Sequence, residues 1–106
     1  MKAYKDSTYY GEVNPETNKR EGQGIIVYQT GRHFEGEWVD DKRHGKGYER
    51  FSNGNTYKGF YREGKVCGKG IYKWTQSGEI YDGEWLNGMK HGYGAWRNKA
   101  GDSYIG

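Results

Sequence analysis

The chain has 106 residues, 19 of them glycine, and aromatics supply 17% of it against 32% for all hydrophobic residues together, so rings rather than aliphatic side chains must build any core. One cysteine excludes an internal disulfide framework, no run approaches the ~18 apolar residues of a membrane-spanning helix, and the first ten residues hold no apolar stretch of signal-peptide type. The net charge of +3, from 17 basic and 14 acidic residues interspersed along the chain, suits a soluble surface and demands no polyanionic partner.

The first element along the chain is Tyr9-Tyr10-Gly11, followed by Gly22, Gly24, Ile26 and Tyr28 at alternate positions. The same pair of segments then returns. Aromatic-x-Gly triplets stand at Phe34-Glu35-Gly36, Tyr57-Lys58-Gly59, Tyr81-Asp82-Gly83 and Tyr104-Ile105-Gly106, with successive glycines 25, 23, 24 and 23 residues apart. Gly-x-Gly pairs follow at Gly45/Gly47, Gly68/Gly70 and Gly92/Gly94, and a third column runs through Gly31, Gly54, Gly78 and Gly101. With Gly64 and Gly88, these columns take up all 19 glycines. The repeats start near Tyr9, Phe34, Tyr57 and Tyr81, and a fifth, incomplete copy starts at Tyr104. The first repeat carries two extra residues within 14–21, and the third-to-fourth junction one more near Thr75-Gln76-Ser77. Both insertions fall between the alternating segments, where loops belong.

Inside each repeat the local period is two. Phe34, Gly36 and Trp38 share one face while Glu35 and Glu37 take the other, and Tyr57/Gly59/Tyr61 and Tyr81/Gly83/Trp85 repeat the pattern. Segments of about six residues joined by Gly/Asn/Asp/Ser-rich turns predict β-hairpins. Four repeats give eight strands, and Ser103 onward begins a ninth. A strand glycine packs nothing itself but leaves bare backbone, on which a ring can lie and bury apolar area. A single repeat would leave its rings half wet, so stacked neighbours must supply the stability. Glu49 disturbs this scheme, because alternation sets a carboxylate on the ring face between Gly47 and Phe51. Either the strand is distorted there or the side chain escapes to solvent.

The motif Tyr81-x-Gly83-x-Trp85-x-x-Gly88-x-x-His91-Gly92-x-Gly94 resembles the MORN repeat (membrane occupation and recognition nexus). Phe34 to Gly47 matches with Asp41 at the Gly88 station. Tyr57 to Gly70 matches with Tyr61 for Trp and Cys67 for His, and the first copy has Val13 and Glu21 at those stations. The resemblance covers the chain from about Thr8 onward. It implies an all-β, elongated, twisted antiparallel sheet of stacked hairpins without intrinsic catalysis. It further implies a scaffold that binds protein partners or membranes, cytoplasmic and associated with the cytoskeleton, a cilium or a membrane. Because the chain stops inside the fifth Tyr-x-Gly, a piece of a longer array is expected.

No catalytic constellation, cofactor site or metal site emerges from the residues. His44, Cys67 and His91 share one column, but equivalent positions in adjacent hairpins are two strands apart, about 9–10 Å, whereas zinc ligands stand ~2.0–2.3 Å from the ion. Cys67 has no base near it in sequence. The Gly-x-Gly pairs lie inside strands and open no helix, unlike phosphate loops. Glu35/Glu37 and Asp82/Glu84 read as solvated or cross-strand-paired carboxylates rather than a glycosidase pair. Nucleic acid is not expected, because the rings serve the core and the basic residues alternate with acids.

Two surfaces are candidates for partners. On the face opposite the rings, alternation sets Tyr48, Phe60, Ile71 and Tyr93 as an apolar strip rimmed by cations, Arg50 and Arg62 among them, which suits a protein partner's helix or peptide. Along the edge expected to carry the longer loops, Arg20, Lys42, Arg43 and Lys90 line up, and such a row could meet acidic lipid headgroups as an alternative. A third expectation is self-association through an unpaired terminal strand.

Overall fold

The computed structural model describes residues 2–105; Gly106, which completes the last Tyr-x-Gly triplet, lies outside the described residues. The described residues form one antiparallel sheet of ten strands: β1 (Lys2–Ala3), β2 (Ser7–Val13), β3 (Arg20–Tyr28), β4 (His33–Val39), β5 (Lys42–Arg50), β6 (Thr56–Arg62), β7 (Lys65–Lys73), β8 (Ile80–Leu86), β9 (Met89–Arg97) and β10 (Ser103–Ile105). Each strand pairs only with its sequence neighbours, so the sheet is an open meander. It measures 50 × 26 × 16 Å. The repeats predict β2 to β10. They miss β1, whose two residues pair Lys2 with Tyr9 and Ala3 with Thr8 and are too few to show an alternation.

The core is a chain of rings on one face. Tyr9, Trp38, Phe34, Tyr61, Tyr57, Trp85 and Tyr81 follow one another with centroids 5.0–5.7 Å apart and planes at 84–89°. This edge-to-face order adds about 1 kcal/mol per pair beyond the area buried. Beneath them lie the glycines. A Cβ at Gly24, Gly47, Gly70 or Gly94 would strike the ring of Tyr9, Phe34, Tyr57 or Tyr81 respectively. Each ring starts on the first strand of a hairpin and covers a glycine on the second, as the alternation predicts. Trp38 and Trp85 also anchor back, their Nε1–H groups donating to Gly24 O and Gly70 O, each at 3.1 Å.

Every hairpin carries the same irregularity. Between Gly36/Gly47 and Trp38/Arg43 the register slips by two residues on β5, and the other three hairpins repeat the slip. The first glycine of each Gly-x-Gly lies in the bulge with positive φ: Gly22 +87°, Gly45 +99°, Gly68 +76° and Gly92 +65°. That conformation is nearly free for glycine and strained for other residues. Alternation alone predicts continuous strands here and misses the bulge.

The loops also differ from expectation. At the edge read as carrying the longer loops, three of the four connections are only two residues long: Asp40-Asp41, Glu63-Gly64 and Asn87-Gly88, all with positive φ. Two successive positive-φ residues are the hairpin turn that matches strand twist. Only the first connection, residues 14–19, is long at this edge, and the opposite edge carries the longer loops. The inserted residues 75–77 lie in the loop between β7 and β8.

Candidate functional site

The face away from the rings is built from the alternate residues of the same strands. Its central row runs Glu35 (β4), Tyr48 (β5), Lys58 (β6), Ile71 (β7) and Asp82 (β8), each directly opposite the next. One step toward the bulges, Lys46 stands opposite Phe60. These side chains bound a groove of about 590 Å³ whose floor is the backbone of Gly36, Gly47, Gly59 and Gly70. The glycines that seat rings on one face therefore leave the other face shallow over the same strands. Tyr48, Phe60 and Ile71 are 37%, 42% and 42% exposed, a fraction no core residue approaches. Lys46, Lys58 and Lys69 stand around them, with Glu35 and Asp82 toward the two ends.

Of the six residues expected to bind protein, Tyr48, Phe60 and Ile71 share this groove. Tyr93, Arg50 and Arg62 lie elsewhere: Tyr93 projects from β9 at 78% exposure, Arg50 is opposite Thr56 at the far end of β5, and Arg62 borders a second depression with His44 and Cys67. The three lysines belong to the groove and were outside that set of six. They belong to the cationic rim that alternation sets around the apolar strip, one from each of β5, β6 and β7.

The cation row is largely not a loop edge, which corrects the sequence reading. Arg20, Lys42, Arg43 and Lys90 all lie within strands. Arg20, Arg43 and Lys90 occupy one repeat station two residues before the bulge glycine, on the ring face. Arg20 sits 4.4 Å above Trp38 and its Nε–H donates to Asp41 at 2.6 Å. Arg43 sits 4.7 Å above Phe34. Lys90 lies 5.1 Å from both Trp74 and Tyr81. These cations lid the ring chain. Lys42 remains exposed.

Glu49 takes neither escape that the sequence allowed. It stays on the ring face, 2% exposed. It accepts from Arg43 Nη1 at 3.2 Å and from the Tyr61 hydroxyl at 2.7 Å, and pairs with Arg32. Arg43 turns its other amine to the Tyr28 hydroxyl at 2.9 Å. A buried carboxylate is tolerable only with its charge paired and its lone pairs filled, and here both conditions hold. Burial, and next the adjacent Glu49 charge, push the Tyr61 hydroxyl pKa far above its ordinary value. Burial likewise raises Tyr57 to about 12. Among the described residues, no three His, Cys, Asp or Glu side chains converge to hold a metal.

A model of the MORN repeat matches residues 18–31, 34–56, 57–78 and 81–102. The chain belongs to the MORN-repeat family. No curated protein matches it. The first MORN match begins within the loop before β3, past the station where Val13 stands, and includes Glu21. Each of the other three matches starts one residue inside the first strand of a hairpin and runs into or through the loop that follows it. The groove crosses the second and third MORN hairpins, and its apolar residues come from those two alone.

Proposed function

We propose that this MORN array is a non-catalytic scaffold that docks a protein partner in the Tyr48/Phe60/Ile71 groove, within a cytoplasmic or cytoskeletal assembly. One observation carries the reading: three large apolar side chains converge in one groove on a face the core does not use. The ring chain lies on the other face, so these three stand outside the core cluster. Partly exposed apolar side chains rimmed by lysines are a recognition feature, since each can be desolvated by an incoming apolar residue while the rim sets orientation. Arg20 and Arg43, engaged with rings and carboxylates, are less available to lipid headgroups than free loop cations would be.

The test uses a displayed library of random 12-residue peptides, selected on the purified protein and re-measured on the Tyr48→Ser/Phe60→Ser double variant. Binders that lose at least tenfold in affinity on the variant, while its melting temperature stays within a few degrees, support the groove. Binders indifferent to both substitutions sink it. Flotation with acidic liposomes is the parallel arm. Lipid binding at physiological salt that survives the double variant would move the function to the cations.

A further inference from the structure

The four bulges are alike in backbone and differ in what covers them. In three, the molecule supplies a carboxylate from the adjoining strand. Glu12 accepts the amide proton of Gln23 at 2.6 Å and Glu37 that of Lys46 at 3.0 Å. Glu84 lies over Gly92, where its carboxylate would collide with a Cβ. Amides turned toward one point by a positive-φ glycine form an anion-binding concavity, and these glutamates fill it. In the third hairpin the same station holds Phe60. The bulge persists, with Gly68 at φ +76° and the register slip between Gly59 and Tyr61. Yet the single atom within 4 Å of a Cβ at Gly68 would be the Phe60 Cβ, at 3.7 Å.

The surroundings suit an anion. The Gly68 bulge opens into a depression of about 490 Å³ bounded by His44, Phe60, Arg62 and Cys67. Lys69, the residue equivalent to Gln23 and Lys46, borders the Tyr48/Ile71 groove on the other side of Phe60. Phe60 thus stands between an apolar groove and a carboxylate seat whose own carboxylate the sequence has replaced. We propose that this seat is filled in trans: an Asp or Glu side chain of the docked segment accepts from the Lys69 amide, while an adjacent apolar side chain lies along Phe60 toward Tyr48 and Ile71. This inference rests on the docking function proposed above and gives the partner its chemistry, an acidic residue beside an apolar anchor.

Peptides from the selection that depend on Tyr48 are synthesised in pairs, with each acidic residue present or changed to its amide. Affinities are measured calorimetrically on wild type, Phe60→Gln and Phe60→Glu. The expected result is a preference of about tenfold or more for one acid over its amide on wild type, kept in Phe60→Gln and reduced to near unity in Phe60→Glu, where a carboxylate occupies the seat in cis. On wild type, the acidic peptide alone should shift the Lys69 amide resonance. Both variants are checked by melting, and Phe60→Glu should be at least as stable as Phe60→Gln. Tyr48-dependent binding with no acid preference overturns the seat and leaves the docking groove intact. A preference unchanged in Phe60→Glu also overturns the seat, because the surrounding lysines then read the charge. If no selected peptide depends on Tyr48, the docking function fails and this inference with it.

Discussion

The second and third hairpins have the same strand lengths, the same bulge and a ring seated on equivalent glycines, yet they are finished differently. The second has Glu37 over its bulge, Arg43 over its rings and Trp38 reaching back to Gly24 O. The third has Phe60, Val66 and Tyr61 at those stations. Tyr61 turns its hydroxyl to Glu49 instead of to a glycine carbonyl, so the buried carboxylate of one hairpin is matched to the unusual ring of the next. The lesson is a division of labour. Glycine and ring set the backbone of every hairpin, while the stations around them are free to be polar and closed or apolar and open. The third hairpin is the open one, and the groove lies where it meets the second.

The largest expected effect falls on what the two hairpins share. Valine at Gly70 would overlap the Tyr57 ring, as valine at Gly47 would overlap Phe34. Neither ring can move without breaking its edge-to-face contacts. Gly70→Val and Gly47→Val should each cost about 3 kcal/mol or more, seen as loss of the cooperative melt. Equal damage at both sites would confirm a common frame, and a tolerated valine at either would break it. Next comes the feature that joins the hairpins. Glu49→Ala strands Arg43 beside Phe34 without its carboxylate and should cost about 3 kcal/mol in chemical denaturation. Tyr61→Phe, which removes a hydroxyl bonded to that carboxylate, should cost about 1–2 kcal/mol alone and almost nothing on top of Glu49→Ala.

Much of this was legible in the sequence, and the residues show why. The glycine columns and the aromatic at each first strand fix hairpin number, register and ring face, because close packing of ring on backbone admits no other residue at Gly24, Gly47, Gly70 or Gly94. Face assignment by alternation then delivered Tyr48, Phe60 and Ile71 as exposed neighbours. The bulge was missed because it inserts two residues in register, which keeps the alternation in phase on either side. The cations were misplaced for a related reason. Arg20, Arg43 and Lys90 stand beside turns and read as loop charges, whereas their column sets them on the ring face. Phe60 as a replaced glutamate was also readable, from the column Glu12, Glu37, Phe60, Glu84; the meaning of that column lies in the backbone amides it covers, which only the folded geometry supplies.

Alkaline titration should separate the two hairpins by their rings. The second seats Phe34, which does not ionise. The third seats Tyr57, raised to about 12 by burial, with Tyr61 also raised. A tyrosine ionises near 10 in the unfolded chain, so the unfolded state releases these protons first. The stability held by keeping the hydroxyls neutral is complete below pH 10 and declines as pH climbs toward 12. Melts at unit steps from pH 9 to 12 should fall more steeply for wild type than for Tyr57→Phe. Parallel curves would mean that Tyr57 is not the group responsible.

The smallest effect tests whether the third hairpin can be closed like the second. Val66 is opposite Tyr61 just as Arg43 is opposite Trp38. An arginine at position 66 would extend over the rings of Tyr57 and Trp85, the counterparts of Phe34 and Tyr61. It would find no buried carboxylate there, since the residue at the Glu49 station is Tyr72. The gain is therefore limited to a partly exposed cation over rings, about 0.5–1 kcal/mol, less the lost packing of valine. Val66→Arg should raise the melting temperature by at most a few degrees and leave peptide binding in the groove unchanged, because position 66 faces the rings. A drop in stability would show that the open hairpin depends on its apolar station, and that the charged stations of its neighbours cannot be transplanted one at a time.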